Sequence, residues 1–540
     1  MIEICNHRLL VCLLFCFACI AHGLTPEQIQ QLDDFIASTM SCRLVPGLNL
    51  ALVKDGETVY TKGYGVSNMD SKSPVTEHTL FAIASITKSF TSTLLAMLLS
   101  GHSDVTWATP IRQYLPDFDL GDRFRTEQTN LHDLLSHKEG KLDDTDYILL
   151  GGFNITRDSY ISHRKYMEQI FPFRSSFAYL NSMYAIAGYI AEQIGADTWE
   201  NLIQERIFNA LGMDASSFTH SDWGNPDLAE SYVYMFNRYE YYKIDKSTFW
   251  SIYNHAPAGS IMSNAVDMTK YMKFILNEGK NKNGEQLVDK IQLAETHKPQ
   301  NAVKNPILFS KPIFPVSDSS YTYGLGWING IYRGYLKSYH TGAYPGFNSL
   351  ITLLHASKTG IYAGTNGPYD TYAMLALEVI HRYASDLLLG EEPWLNSTTA
   401  CTFPSPWIPS PSNGGIKGKP VKSSDSHEII TTRPPEDYTG VYGHKGLGNN
   451  TVYIDKDGVT LRFLYGVYGN GILIPTADEL RFNFRIEGPM EWYYEYYSLM
   501  VPIFAQFSSS SGPGKEIDEL RLPYTPGYAS ALFEKYLTDS

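Results

Sequence analysis

Apolar positions recur at helical spacing from residue 25 to 40. Ile29, Leu32, Phe35 and Ile36 share one face behind Thr25 and Pro26, which predicts a capped amphipathic helix. The period then changes. Leu48 to Val53 and Thr58 to Tyr64 are strand-like runs flanking Asp55-Gly56, a hairpin signal. Between about 80 and 215 the spacing is mostly helical. From 320 to 366 strand candidates return: Gly324 to Ile328, Ser338 to Gly342, Ser349 to His355 and Gly360 to Thr365, closed by a helix over Tyr369 to Leu388. Terminal strands and helices around a helical middle predict an α+β domain with an antiparallel sheet.

Residues 402–436 change character. Pro404, Pro406, Pro409, Pro411, Gly414, Gly415, Gly418 and Pro420 make a linker rather than a core. Beyond it the period becomes 2: Leu480, Phe482, Phe484 and Ile486 alternate with Glu479, Arg481, Asn483 and Arg485. Thr451 to Ile454 and Val459 to Phe463 straddle Asp457-Gly458, a second hairpin, and the aromatic run Trp492 to Tyr497 is read as strand-forming core. Residues 437–540 are therefore expected to form a small all-β domain, a barrel or sandwich.

The first residues point to a compartment. Arg8 precedes the apolar run Leu9 to Ile20, and Ala21-His22-Gly23 offers small residues for cleavage. The run is shorter than the ~20 residues of a membrane span, so a signal peptide over 1–23 is expected, with a retained anchor as the alternative. The expected units are then 1–23, a domain over 24–395, a linker over 396–436 and the β-domain over 437–540. Cys5, Cys12, Cys16 and Cys19 leave with the signal; Cys42 and Cys401 remain, and two cysteines in an oxidising compartment imply one disulfide. Sequons at Asn154, Asn396 and Asn449 are compatible with a secreted, extracellular glycoprotein. The net charge of −14 argues against nucleic acid and anionic membranes as partners. Diffuse acidity also fits cations or mineral surfaces, though simple solubility accounts for it.

Candidate chemistry begins at Phe81-Ala-Ile-Ala-Ser85-Ile-Thr-Lys88-Ser-Phe90, which leads into an apolar helix ending at Gly101. Lys88 falls three residues beyond Ser85, on nearly the same face, and the helix N-terminus offers free N–H groups to an oxyanion. Taken alone, Ser-x-x-Lys reads as readily as an N-cap followed by a solvated charge. Two further segments change that: Tyr179-Leu180-Asn181 ahead of a helix, and His340-Thr341-Gly342-Ala343 at the end of a strand candidate. The order Ser-x-x-Lys, Tyr-x-Asn, His-Thr-Gly resembles the serine beta-lactamase-like superfamily, which includes class C beta-lactamases and D-Ala-D-Ala carboxypeptidases. Leu131 to His137, Ala256 to Ser260 with Ser263, Tyr323 to Trp327 and Pro345-Gly346-Phe347 look like the family too, and the resemblance spans about 27–390.

The resemblance implies a beta-lactamase/transpeptidase-like fold and a lipocalin-like C-terminal module. It implies Ser85 as nucleophile, with Lys88 and Tyr179 sharing proton transfer and two cations easing the phenol's ionisation. Asn181, His340, Thr341, Gly342 and Ala343 would bind substrate, with the N–H groups of Ser85 and Ala343 as the oxyanion hole. The substrate would be a small amide, ester or D-amino-acid peptide, with no metal or cofactor. His340 stands where many beta-lactamases carry lysine; an imidazole, charged only at low pH, favours peptidase or esterase chemistry. His137-Lys-Glu-Gly140 departs from the family's small residues, and the tyrosine-rich 218–253 is expected to reshape the cleft. No Gly-x-Ser-x-Gly elbow or His-Glu-x-x-His pattern occurs. The alternative is a matrix or mineral-associated protein that inherited the fold, since the chain is also similar to secreted mollusc shell-matrix proteins.

Overall fold

The computed structural model describes residues 23–102, 104–303, 314–408, 433–498, 504–522 and 530–535. The expected signal peptide through His22, and linker residues 409–432 with Pro409, Pro411, Gly414, Gly415, Gly418 and Pro420, lie outside the described residues.

The opening helix α1 spans Pro26–Cys42, and Thr25 and Gln28 cap its first turn reciprocally. The hairpin strands follow, β1 over Gly47–Lys54 and β2 over Glu57–Gly65. Next come the helices α2 (Thr87–Ser100), α3 (Asn181–Gly195) and α4 (Ala265–Leu276). Strands return as β3 (Asn301–Ala302), β4 (Asp318–Tyr323), β5 (Ile328–Tyr332), β6 (Tyr335–Tyr344), β7 (Phe347–Leu354) and β8 (Thr359–Thr365), before helix α5 (Asp370–Leu389). One eight-stranded sheet results, in the order β2-β1-β8-β7-β6-β5-β4-β3. The chain's first and last strands are neighbours, Leu48 facing Thr365 in antiparallel register.

Strands β7 and β8 are buried along their whole length, because helices cover both faces of the sheet there. On one face Leu32, Phe35 and Ile36 of α1 pack with Leu377, Ile380 and Ala384 of α5 against Leu50, Leu52 and Ile361. On the other, α2, α3 and α4 form the larger core around Phe90, Leu94, Met183, Ile186, Met268 and Met272. The segment carrying Ser85 is thus held between the sheet and the helical layer.

Two expected elements fall elsewhere. Gly324 to Trp327 is the turn joining β4 to β5, and Ile328 opens β5: Gly326 adopts φ +85°, and a Cβ there would lie 2.8 Å from the carbonyl of Lys88, leaving no room for a side chain. Trp492 to Tyr497 lies within a helix, Glu491–Ser498, with Trp492 fully buried. Its aromatic richness reflects packing demand, which does not distinguish strand from helix.

The C-terminal strands form a closed antiparallel barrel in chain order: β9 (Gly440–His444), β10 (Gly448–Ile454), β11 (Leu461–Tyr465), β12 (Gly469–Pro475), β13 (Arg481–Ile486), β14 (Phe504–Ser508), β15 (Glu519–Leu522) and β16 (Ala531–Lys535). Pairing of Tyr442 with Lys535 closes it. Inward residues such as Tyr442, Phe463, Phe482, Phe484, Phe507 and Phe533 fill the interior, as eight strands allow.

The barrel docks on the first domain at the helix Thr145–Gly151. Val467 and Tyr468 N–H donate to the carbonyls of Gly151 and Leu150 at 2.7 and 2.9 Å. The Tyr147 hydroxyl donates to Leu522 O (2.7 Å) and accepts from Ala531 N (2.9 Å). The 218–253 segment faces the barrel too, with Trp250 Nε1 donating to the Tyr468 hydroxyl at 2.7 Å. Cys42 and Cys401 are disulfide-bonded, and Phe403 and Trp407 pack with Phe314 and Trp394, so the start of the 396–436 segment is held on the first domain. Among the described residues, no helix is long and apolar enough to cross a membrane.

Candidate active site

The segment carrying Ser85 starts as a short strand, Phe81–Ala82, paired with Ile261–Ser263. The backbone turns through Ala84, at φ +49°, into a 3₁₀ turn that feeds α2. A left-handed conformation at alanine is strained and is held by its surroundings. One such constraint is Gly342 on β6. A Cβ there would lie 2.2 Å from Ser349 Oγ and 2.3 Å from the Ile83 carbonyl. Ser349 Oγ donates to that same carbonyl at 2.7 Å. From Phe81 to Phe90 every residue is buried except Ser85, which is partly open to solvent.

Lys88 is fully buried. Its Nζ lies 3.1 Å from Ser85 Oγ, 2.7 Å from Asn181 Oδ1 and 2.8 Å from the Ala258 carbonyl. Burial drives its pKa well below the ordinary lysine value, while Asp143 acts in the opposite direction. An ammonium donates to all three oxygens. A neutral amine gives its two hydrogens to the two acceptor-only oxygens and turns its lone pair to the Ser85 hydroxyl. One geometry therefore serves both protonation states.

Asn181 opens α3, and Thr145 Oγ1 orients it by accepting from Nδ2 at 2.9 Å. Thr145 in turn donates to Asp143 Oδ1 at 2.8 Å. Burial and the neighbouring Asp144 push Asp143 up to about 6. Asp144 is paired with Arg164 Nη1 at 3.0 Å and accepts from the Tyr160 hydroxyl at 2.8 Å.

An aromatic wall stands beside Lys88. The ammonium lies 4.8 Å from the centre of the Tyr179 ring and 5.4 Å from that of Tyr184. His137, at φ +60°, stacks against Tyr179 with ring centres 4.4 Å apart. Its Nδ1 accepts from Leu180 N at 3.0 Å, which places the hydrogen on Nε2. His340 is 2% exposed; its Nδ1 lies 2.6 Å from the Thr341 carbonyl and its Nε2 2.8 Å from the Tyr323 hydroxyl. A carbonyl only accepts, so Nδ1 carries the hydrogen and Nε2 accepts from tyrosine. Burial and Lys88 push His340 down to about 3, and His137 likewise lies well below the ordinary histidine value.

The beta-lactamase family profile matches residues 32–385. The chain belongs to the beta-lactamase family. It is 27% identical over 362 residues to the unguisins hydrolase ungD' of Aspergillus campestris, an alignment covering 64% of this chain and 64% of that protein's length. It is 28% identical over 268 residues to gigasin-6 of Magallana gigas, covering 46% of this chain and 85% of that one. Among solved structures, the D-amino acid amidase of Ochrobactrum anthropi SV3 superposes with a TM-score of 0.53 at 22% identity, covering 66% of this chain and 97% of that one.

Within this beta-lactamase fold, the three motifs read from the sequence meet around Lys88, but two expectations shift. Both nitrogens of His340 are engaged by protein groups and the ring is neutral, so it braces Tyr323 rather than gripping a substrate anion. Lys88 lies beside Tyr179, and the neutral His340 adds no positive charge to it. The strand's alternation sends Thr341 to the opposite face, into a cavity of about 230 Å³ shared with Asp318, His381 and Arg382. Ala343 is exposed at the strand's end.

Several residues near the site had no role assigned from sequence. The Ala258 carbonyl lay in a family-like stretch, and His137 was read as a loop departure. Tyr323 too opened a family-like stretch, whereas Tyr184, Thr145 and Asp143 carried no spacing signal. Of the sequons, Asn154 and Asn396 are exposed, whereas Asn449 lies half-buried in β10. Among the described residues, no cluster of histidine, cysteine or acidic side chains is arranged to hold a metal ion.

Proposed function

We propose that the chain is an extracellular serine hydrolase that forms an acyl-enzyme on Ser85. The observation that carries this is the Ser85–Lys88 contact, in which a buried lysine lies 3.1 Å from a partly exposed serine hydroxyl. Ser85 Oγ bonds to a carbonyl carbon as its proton passes to Lys88 Nζ. The tetrahedral adduct collapses, the leaving amine or alkoxide takes that proton, and water then releases the acid. Tyr179, whose ring centre lies 4.8 Å from Lys88 Nζ, would share that proton transfer with the lysine. Gly342, with no side chain, lets β6 lie against Ile83 and Ala84, which brings the backbone of Ala343 alongside the Ser85 turn as an oxyanion donor.

Small amides, esters and D-amino-acid peptides are the proposed substrates. The fold shared with a D-amino acid amidase and the likeness to a hydrolase support that class. The Cys42–Cys401 disulfide supports an oxidising compartment. Incubation with a panel of amides, esters and D-peptides should leave an acyl adduct on the Ser85 peptide by mass spectrometry. Equal labelling of the Ser85→Ala variant would refute the assignment.

The likeness to gigasin-6 supports a second reading, a matrix or mineral-associated role for the same fold. Calcium carbonate binding measured beside turnover separates the two. Binding without turnover by the intact chain favours the matrix reading.

A further inference from the structure

Behind Lys88 a chain of side chains leads away from the substrate side. Lys88 Nζ donates to Asn181 Oδ1 (2.7 Å), Asn181 Nδ2 donates to Thr145 Oγ1 (2.9 Å), and Thr145 Oγ1 donates to Asp143 Oδ1 (2.8 Å). Each link fixes the direction of the next. A carboxylate only accepts, so it holds the threonine hydrogen; the threonine oxygen is then left to accept from an N–H. That sets which way the Asn181 amide points. Were the amide reversed, its NH₂ would face the lysine and one of the two acceptors that keep Nζ turned to Ser85 would be lost.

We propose that Asp143 and Thr145 are positioning residues for the Ser85–Lys88 pair, acting through Asn181. The inference rests on the reading of Lys88 as the proton acceptor. The segment that carries them is itself anchored: the Tyr493 hydroxyl of the barrel donates to Asp146, and Tyr147 is clamped between Leu522 O and Ala531 N. The C-terminal barrel is in this way the outer support of the relay.

Asp143 also acts by charge. The groups facing it include Asp144, Asp146, Tyr160, Arg164 and Lys88; those facing Lys88 include Asp143, His137, His255 and His340, with the Tyr179 and Tyr184 rings. The three histidines are held below their ordinary pKa, so Asp143 is the charge that opposes the effect of burial on the lysine. Removing it should make Lys88 easier to deprotonate.

The test is the rate at which a fluorophosphonate probe labels the full chain across pH. In that reaction Ser85 Oγ bonds to phosphorus, the P–F bond breaks, fluoride leaves and the hydroxyl proton passes to Lys88. Thr145→Val removes the hydroxyl but keeps the shape, and should slow labelling about 10–100-fold, with Thr145→Ser restoring it. A merely structural threonine would give the reverse order, valine tolerated and serine not. Asp143→Asn keeps an acceptor oxygen but no charge, and should move the acidic limb of the profile to lower pH by about one unit. Equal rates for wild type and Thr145→Val, or an unmoved limb in Asp143→Asn, would overturn the inference. Lys88→Ala separates the two levels. If it labels at the wild-type rate, the reading of Lys88 itself has failed; if it is inert while the relay variants behave as wild type, only the relay has.

Discussion

Gly342→Ala is the sharpest single probe of how the sheet holds the nucleophile. The added methyl would sit 2.2 Å from Ser349 Oγ and 2.3 Å from the Ile83 carbonyl, with Ala84 Cβ at 3.1 Å. Ordinary contact begins near 3.4 Å, so more than an ångström must be found. The carbonyl belongs to the backbone that turns through the strained Ala84 into Ser85, and cannot yield without carrying the nucleophile along. Overpacking of this kind costs about 1–3 kcal/mol. Losing the Ser349 Oγ–Ile83 O hydrogen bond of 2.7 Å adds about 1 kcal/mol. An ångström of displacement at a nucleophile costs about 100-fold in rate. Urea unfolding should therefore show a lowered midpoint, and probe labelling of Ser85 a rate lower by about two orders of magnitude. The double variant Gly342→Ala/Ser349→Ala removes one obstacle and leaves the carbonyl, so it should recover only part of the loss. A Gly342→Ala protein with unchanged midpoint and unchanged labelling would refute the argument.

Three further outcomes follow from the same packing. Burial raises Asp146 from the usual 3.8 to about 7, so the folded chain holds this proton more tightly than the unfolded one. The stability it confers is complete below about 4 and is lost as the pH rises through about 7; Asp146→Asn should flatten the fall of Tm between about pH 4 and 7, and an unchanged slope would contradict this. The Cys42–Cys401 bond spans a sequence separation of 359 residues, so Cys42→Ser should lower stability by about 2–5 kcal/mol, with reduction of the wild type giving the same loss. With its pKa near 3, His340 should add no break to KM between about pH 5 and 8; a break in the wild type that vanished in His340→Asn would show that the imidazole does titrate there.

How much of this was legible in the sequence depends on the range of the interaction. The hairpin at Asp55-Gly56, the α1 cap at Thr25 and the alternation of Phe482, Phe484 and Ile486 are local, and spacing along the chain exposes them directly. Ser85 and Lys88 are separated by one helical turn, so their contact was legible too. The turn at Gly324 to Trp327 was not, because Gly326 answers to a carbonyl on α2, far away in sequence. His340 shows the same limit from the chemical side. Its position in the motif was readable, but its protonation depends on burial and on the Tyr323 hydroxyl, neither of which spacing carries. The relay lies further still from local pattern: Thr145, which bonds to Asp143, meets Asn181 from a segment 36 residues earlier. That segment is docked by Tyr493, which comes from a helix 347 residues beyond Asp146. A surface aspartate and a buried one look identical in sequence. What distinguishes Asp143 is its half-buried place beside Asp144, just ahead of the helix on which the barrel docks. On the proposed relay, the second domain would bear on the first without touching a reacting atom, through the Tyr493 and Leu522 contacts that hold the segment from which Thr145 orients Asn181.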